Sequence, residues 1–194
     1  MYVIVGLGNP EFEFIGTRHN IGFDFLNYLS KNWKIQIDKL KWKAEIGEGK
    51  IYFEDKNEDI LLVKPITYMN LSGISVLDIV SNLKIDLKKF VVIHDDMDLP
   101  IGGVHFIFDR GDGGHKGVKS IVENLKTNEF YRLRFGIGRP PPEIDPINYV
   151  LSPISLVERK KLKNAFNLGE EIIKTFIFYG EEKAISKSNK KGIY

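Results

Sequence analysis

The residues best suited to take part in a reaction follow the first apolar run of the chain. This run, Val3–Val5, fits a buried strand and gives way to GLGNP. Small and polar residues at the end of a buried strand mark a place where a ligand meets the backbone. Asn9 lies there, and His19 follows just before an apolar-periodic segment. His19 is therefore either a general base, because imidazole ordinarily has a pKa of about 6.5, or a histidine that caps or packs at a helix start.

The string HDDMDLP, residues 94–100, follows a second short apolar run. A carboxylate at Asp95 can accept the N–H of an imidazole, fix its tautomer and stabilise its protonated form, which would pair it with His19. The string also fits a metal site, because His94, Asp95, Asp96 and Asp98 offer ligands suited to Mg²⁺ or Mn²⁺. A polar turn is the third interpretation, and the residues alone leave all three open.

Two more polar segments precede predicted helices. KPITYMNLSG, residues 64–73, places Asn70 where its amide could read a peptide-like ligand or cap a helix. RGDGGHKGVK, residues 110–119, is either a flexible surface turn or a loop whose glycines let backbone N–H groups approach an anion. It lacks Walker A spacing, and GLGNPE lacks the third glycine of a dinucleotide fingerprint. No nucleotide cofactor is therefore expected.

Basic residues near the glycine-rich segment form a fifth candidate feature. Arg132 and Arg134 alternate on a predicted strand and so share a face, and with Lys119 they could hold phosphates. Solvated surface charge is the commoner explanation for any one of them. The net charge of +2 gives no strong global attraction for nucleic acid, so such a site would be a local patch.

Alternating strands and helices must position these residues. The patterns predict strands at 2–5, 43–54, 59–63, 90–93, 104–108 and 133–137, and helices at 20–33, 72–83, from the glycine-rich loop to about 125, and 156–179. Residues 140–146 are predicted to form an extended loop. We expect one α/β domain over 1–194, with three α/β/α layers, a mixed, largely parallel central sheet and a flexible basic tail at 183–194. Strand ends gather at one edge of such a sheet, where the polar segments could converge.

Composition limits the class of protein. The 194 residues suit one compact domain, and the absence of cysteine rules out disulfides and thiolate chemistry. No apolar stretch approaches the ~20 residues of a membrane span, and the first residues do not resemble a signal peptide. We therefore expect a cytoplasmic protein without a membrane association.

Five strings occur in the order seen in one family: VGLGNPEFEFIGTRHNIG, KPITYMNLSG, HDDMDLPIGG, GDGGHKGVKSI and FYRLRFGIGRP. Together they resemble bacterial-type peptidyl-tRNA hydrolases, from residue 3 to about 151. The resemblance implies hydrolysis of the ester between peptide and tRNA, which recycles tRNA released prematurely from ribosomes. It implies no metal and no cofactor. The expected partner is peptidyl-tRNA, through its acceptor end and peptide backbone, and the expected protein is a monomer.

The resemblance also assigns roles to individual residues. His19 falls at the position of the catalytic base, and Asp95 at that of the residue stabilising its active form. Asn9 falls where the family distinguishes N-blocked from free aminoacyl-tRNA. Asn70, with Met69, falls where the peptide backbone binds.

The positions expected to contact tRNA match the family less closely. Lys119 and Arg134 are similar to basic residues that hold the acceptor end. Lys116 stands in place of a usual asparagine, Phe14 in place of a usual tyrosine, and Glu11 in place of a frequent glycine. Lys116 and Phe14 are still expected to bind substrate. The lysine keeps a second function open, that of a non-catalytic, splicing-factor-like RNA-binding member of the same superfamily.

Overall fold

The fold is built on a seven-stranded mixed sheet. The structure, a computed structural model, describes residues 1–191. The strands are β1 (Tyr2–Gly6), β2 (Lys39–Lys41), β3 (Ala44–Phe53), β4 (Lys56–Pro65), β5 (Phe90–Asp96), β6 (Val104–Phe108) and β7 (Tyr131–Gly136). Their order is β2-β3-β4-β1-β5-β7-β6. The central strands β4, β1, β5 and β7 are parallel, and antiparallel pairs complete both ends of the sheet.

Helices cover both faces of this sheet. They are α1 (Ile21–Trp33), α2 (Ser72–Leu83), α3 (Lys116–Leu125), α4 (Pro146–Val150), α5 (Leu156–Tyr179) and α6 (Glu181–Lys191). Side chains of α1, α5 and α6 form one apolar cluster with the sheet, and those of α2 and α3 form a second on the opposite face. The prediction of a three-layer α/β/α domain with a mixed sheet is thereby confirmed. No helix within residues 1–191 combines the length and apolar character needed to cross a membrane.

The start of α1 packs unusually close to the sheet. A methyl group on Gly22 would lie 2.6 Å from the Ile93 carbonyl oxygen, and one on Gly6 would lie 2.7 Å from the Leu26 side chain. Only glycines allow the first turn of α1 to rest on the carboxyl ends of β1 and β5. His19, just before that turn, is held at the edge of the sheet as a result.

Two short elements were absent from the sequence prediction. The strand β2 extends the β3–β4 hairpin, and α4 begins at Pro146, the last residue of the predicted loop. The Asp145 carboxylate accepts hydrogen bonds from the N–H groups of Ile147 and Asn148. An aspartate cap followed by proline is a common helix start, so the sequence carried a signal for α4.

The structure corrects the prediction of a flexible tail from Lys183 onwards. Residues 181–191 form α6, in which Ala184 and Ser188 are almost completely buried. The Ser188 Oγ accepts a hydrogen bond of 2.9 Å from the Phe106 N–H of the edge strand β6. The helix covers an otherwise open sheet edge through small residues. Because these residues form no broad apolar stripe, the sequence pattern did not predict the helix. Residues 192–194 of the predicted tail lie outside the described residues.

Candidate active site

A cleft of about 610 Å³ opens at the carboxyl ends of the parallel strands. The segments that follow β1, β4 and β5 line it together with the glycine-rich loop before α3. They bring Asn9, His19, Met69, Asn70, Asp95 and Lys116 into one site. The predicted convergence of the polar segments is therefore seen in the structure, and it follows from the parallel arrangement of β4, β1 and β5.

Asp95 receives hydrogen bonds from two histidines. Its Oδ1 lies 2.9 Å from the His19 Nδ1 and 2.9 Å from the His115 Nε2. The Nδ1 of His115 accepts the N–H groups of Gly117 and Val118 at the start of α3, at 3.2 and 3.3 Å. The proton of His115 must therefore be on Nε2, from which it is donated to Asp95.

The same carboxylate sets the tautomer of His19. Because an ionised carboxylate only accepts hydrogen bonds, the His19 proton is on Nδ1. In the neutral form of the ring, the Nε2 of His19 is therefore the nitrogen that can accept a hydrogen bond, and no described residue hydrogen-bonds to it. Since His19 lines the cleft, this nitrogen is available to a molecule bound there.

Asp95 is ionised despite being buried. Burial on its own raises the pKa of this carboxyl. The charges and hydrogen bonds of His19 and His115 outweigh that effect and hold the pKa well below its usual range. The site therefore contains a fixed negative charge directly behind the imidazole of His19.

His94, which precedes Asp95, is a third histidine at this site. Its Nδ1 lies 2.7 Å from the Asp95 carbonyl oxygen, and its ring centroid lies 4.7 Å from that of His115. Burial, followed by the proximity of His115, places its pKa well below the usual value. His94 is therefore neutral at physiological pH and packs beneath the carboxylate.

The metal site considered for the HDDMD string does not form from those residues. Asp96 pairs with Arg134 at 2.6 Å, and Asp98 pairs with Arg139 at 2.5 Å. Each carboxylate is therefore drawn towards a different arginine, while His94 bonds to the Asp95 backbone. That metal interpretation is wrong for the proposed ligand set.

Among residues 1–191, one other cluster has ligand atoms close enough for a metal ion. His19, Asp95 and His115 offer atoms within 4.8 Å of one another. A metal would need an unprotonated Nε2 on His115, yet the two helix N–H groups at Nδ1 require the proton to be on Nε2. These hydrogen bonds favour a proton-transfer network over a metal centre.

Asn9 is held rigidly by a neighbouring asparagine. Its N–H donates to the Asn20 Oδ1 and its carbonyl accepts from the Asn20 Nδ2, both at 2.9 Å. Its own Oδ1 accepts the Met69 N–H at 2.9 Å. The side-chain NH₂ is therefore the part of Asn9 left for a ligand in the cleft. Asn20, whose side chain does not cap α1, acts as a support for Asn9.

The other predicted substrate-binding residues all line the cleft. Met69 is buried, whereas Asn70 is exposed and precedes the Leu71 cap position of α2, so the alternative of a helix cap is wrong for Asn70. Phe14 is half-buried at one rim. Lys116 is exposed and is the first residue of α3.

The basic residues predicted to contact phosphate do not line the cleft. Lys119 is exposed on α3 but does not line the cleft, and Arg134 is mostly buried in its pair with Asp96. Arg132 is fully buried and donates to the carbonyl oxygens of Arg110 and Gly111 at 2.5 and 2.6 Å. Burial lowers the pKa of Arg132 to about 10. The expectation that Arg132 holds phosphate is therefore wrong, and it anchors the glycine-rich loop.

Comparison with known proteins identifies the family. The sequence model of the peptidyl-tRNA hydrolase family matches residues 3–193. This chain belongs to the peptidyl-tRNA hydrolase family. It is 41% identical to a mitochondrial peptidyl-tRNA hydrolase of Oryza sativa subsp. japonica, covering 97% of this chain and 74% of that protein. It is 38% identical to the peptidyl-tRNA hydrolase of Clostridium tetani, covering 97% of each.

A solved peptidyl-tRNA hydrolase shares the fold. The structure of the enzyme from Acinetobacter baumannii superposes with a TM-score of 0.89 at 31% identity, covering 97% of this chain and 94% of that one. Membership of the peptidyl-tRNA hydrolase family therefore extends over nearly the whole chain, including α6.

The sequence prediction assigned no role in catalysis or substrate binding to three residues that the structure brings into the site. His115 shares the Asp95 carboxylate, Asn20 holds Asn9, and His94 packs against the His115 ring. A histidine directly before a helix and an asparagine directly after His19 were the available signals. Their roles depend on partners that the sequence pattern does not reveal.

Proposed function

We propose that this chain hydrolyses the ester bond of peptidyl-tRNA, with His19 as the general base and Asp95 as the residue that orients it. The observation that carries this proposal is the fixed tautomer of His19. Its Nδ1–H is committed to Asp95 at 2.9 Å, and its Nε2 is unprotonated and belongs to a residue lining the cleft. A base with this geometry is what activation of water at an ester requires.

The proposed reaction needs only water and the groups of the site. Water loses a proton to the His19 Nε2 while its oxygen attacks the ester carbonyl carbon. The buried charge of Asp95 stabilises the imidazolium that forms. The tetrahedral intermediate then expels the ribose oxygen, which takes the proton back from His19. The products are a free peptide carboxyl group and a tRNA with a free terminal hydroxyl.

Asn9 can account for selection of N-blocked substrates. Because its Oδ1 is occupied by the Met69 N–H, the side chain offers only donors to a ligand. A donor matches the carbonyl oxygen of an N-acyl group or a peptide bond. It does not match the ammonium group of a free aminoacyl-tRNA, which has no acceptor. Asn70, exposed nearby in the cleft, can contact the next amide of the peptide.

The proposal includes a monomer that acts in the cytoplasm without a cofactor. The second candidate, a non-catalytic RNA-binding protein, rested on Lys116 in place of an asparagine. Within residues 1–191 no contact favours this second function, and the hydrogen bonds of His19 to Asp95 and of Asn9 to Met69 support the hydrolytic proposal. Size-exclusion chromatography with light scattering tests the oligomeric state.

The decisive experiment measures release of the acyl group from N-acetyl-aminoacyl-tRNA and from free aminoacyl-tRNA, with excess chelator present. We expect hydrolysis of the blocked substrate, little hydrolysis of the free one, and no effect of the chelator. For His19→Ala we expect a loss of about 10²–10⁴ in rate with tRNA binding retained, which a gel-shift assay checks.

Each candidate function predicts a different result. Binding without hydrolysis by the unmodified chain would support the RNA-binding protein. Activity that disappears with chelator and returns with Mn²⁺ would support a metal enzyme. Near-normal turnover by a folded His19→Ala variant would exclude His19 as the base.

A further inference from the structure

Lys116 holds a distinctive position in the cleft. It is the first residue of α3, it is exposed, and it lines the same cavity as His19. It directly follows His115, whose ring centroid lies 4.7 Å from that of His19. The lysine side chain is therefore anchored one residue away from the catalytic network.

The charges around Lys116 leave its ammonium group free. Of the cleft-lining residues within 1–191, Lys116 is the only lysine or arginine, against four aspartates. Each aspartate has partners other than Lys116. Asp95 accepts hydrogen bonds from two histidines, and Asp112 accepts one from the Gly114 N–H beside Arg132. Asp96 and Asp98 form ion pairs with Arg134 and Arg139. None of the ion pairs within residues 1–191 includes the Lys116 Nζ. Lys116 thus brings into the cleft a cation that has no ion pair of its own.

The backbone adds to this charge. The positive end of the α3 dipole lies at Lys116. The N–H groups of Gly117 and Val118 already donate to the His115 Nδ1, so the Lys116 side chain is the donor left for an anion at this end of α3. A lysine at the positive end of a helix is unfavourable on its own, because both carry positive charge. An anion bound between them removes that conflict.

The substrate in the proposed function carries such an anion. The ester is made to the terminal ribose of tRNA, and the 5′ side of that same nucleoside bears a phosphodiester. We propose that Lys116 binds the 5′-phosphate of the terminal adenosine and so sets the position of the ester against His19. This inference rests on the proposed esterase function, and it assigns a phosphate contact to a residue that lines the cleft, which Lys119 and Arg134 do not.

The test uses two small substrates that differ only in this phosphate. They are the N-acetyl-aminoacyl esters of adenosine and of adenosine 5′-monophosphate. We expect the unmodified chain to prefer the phosphate-bearing ester by about tenfold in kcat/KM, as one charge-assisted contact allows. Lys116→Met should abolish this preference, and Lys116→Arg should retain most of it. Lys163→Met, which removes an exposed charge from α5, serves as the matched control and should keep the preference.

The ratio between the two esters separates this inference from the proposed function. If Lys116→Met lowers both rates by the same factor, the lysine serves the reacting groups and the phosphate contact is refuted. An unchanged ratio in Lys116→Met also refutes it. Failure of every variant and of the unmodified chain to hydrolyse either ester, and also N-acetyl-aminoacyl-tRNA, would instead refute the esterase proposal.

Discussion

Replacing Asp95 by asparagine tests the central element of the site. The Oδ1 of Asp95 accepts one N–H from His19 and one from His115, and its pKa is held below the usual range by both. Asparagine keeps the shape but removes the charge. If its amide nitrogen faces the histidines, His19 must move its proton from Nδ1 to Nε2, and the base is lost. If its oxygen faces them, the tautomer survives without the charge that stabilises imidazolium.

Both orientations of the amide predict a large loss of rate. General base catalysis contributes about 10²–10⁴, and the corresponding change in a serine-histidine-aspartate triad costs about 10⁴. We therefore expect Asp95→Asn to lower kcat/KM by about 10²–10⁴, equivalent to about 3–5 kcal/mol of transition-state stabilisation. We also expect the pH profile of the rate to change, because the variant lacks the buried charge of Asp95.

The assay is single-turnover hydrolysis of N-acetyl-aminoacyl-tRNA between pH 5 and pH 9, with circular dichroism to verify folding. Asp98→Asn is the matched control, because it makes the same change in the same string at a side chain that is 60% exposed and paired with Arg139. An exposed pair contributes about 0–1 kcal/mol to stability, so the control should fold. Because Asp98 is paired with Arg139 and not with His19, the control should keep most of its rate.

One result would refute this reasoning. A folded Asp95→Asn variant with a rate close to that of Asp98→Asn and an unchanged pH profile would mean that the carboxylate neither fixes the tautomer nor stabilises the charged ring. Asp95 would then be a structural residue, and the assignment of His19 as an oriented base would lose its support.

Three further predictions concern stability. Ser188→Ala removes the partner of the buried Phe106 N–H and should lower the free energy of unfolding by about 1–3 kcal/mol, measured by urea denaturation. Gly22→Ala forces a methyl group against the Ile93 carbonyl and should cost about 1–3 kcal/mol in the same assay. Because the folded pKa of Asp95 is lowered, its ionisation stabilises the fold above the unfolded pKa of about 3.9. This contribution is lost as the pH falls further, so the stability difference between the unmodified chain and Asp95→Asn should shrink below about pH 4.

The sequence determined most of the helices and strands, though not β2, α4 or α6, and the order of the residues that could do chemistry. Apolar residues recur every second residue in a strand and every third or fourth in a helix, because of local backbone geometry. This spacing predicted α2, α5 and β6 with their observed bounds. The five ordered strings indicated the family in the same way, and the predicted cleft residues were read directly from those strings. All of these signals are contained in short stretches of chain.

Only the tertiary structure decided how the polar residues are used. Asp95 meets His19 across 76 residues, and the Phe106 N–H meets Ser188 across 82. Lys119, Arg132 and Arg134 look alike in sequence, yet one is solvated, one anchors a loop and one pairs with a carboxylate. A side chain's partner is chosen by which distant elements pack beside it, and spacing along one element carries no information about that choice.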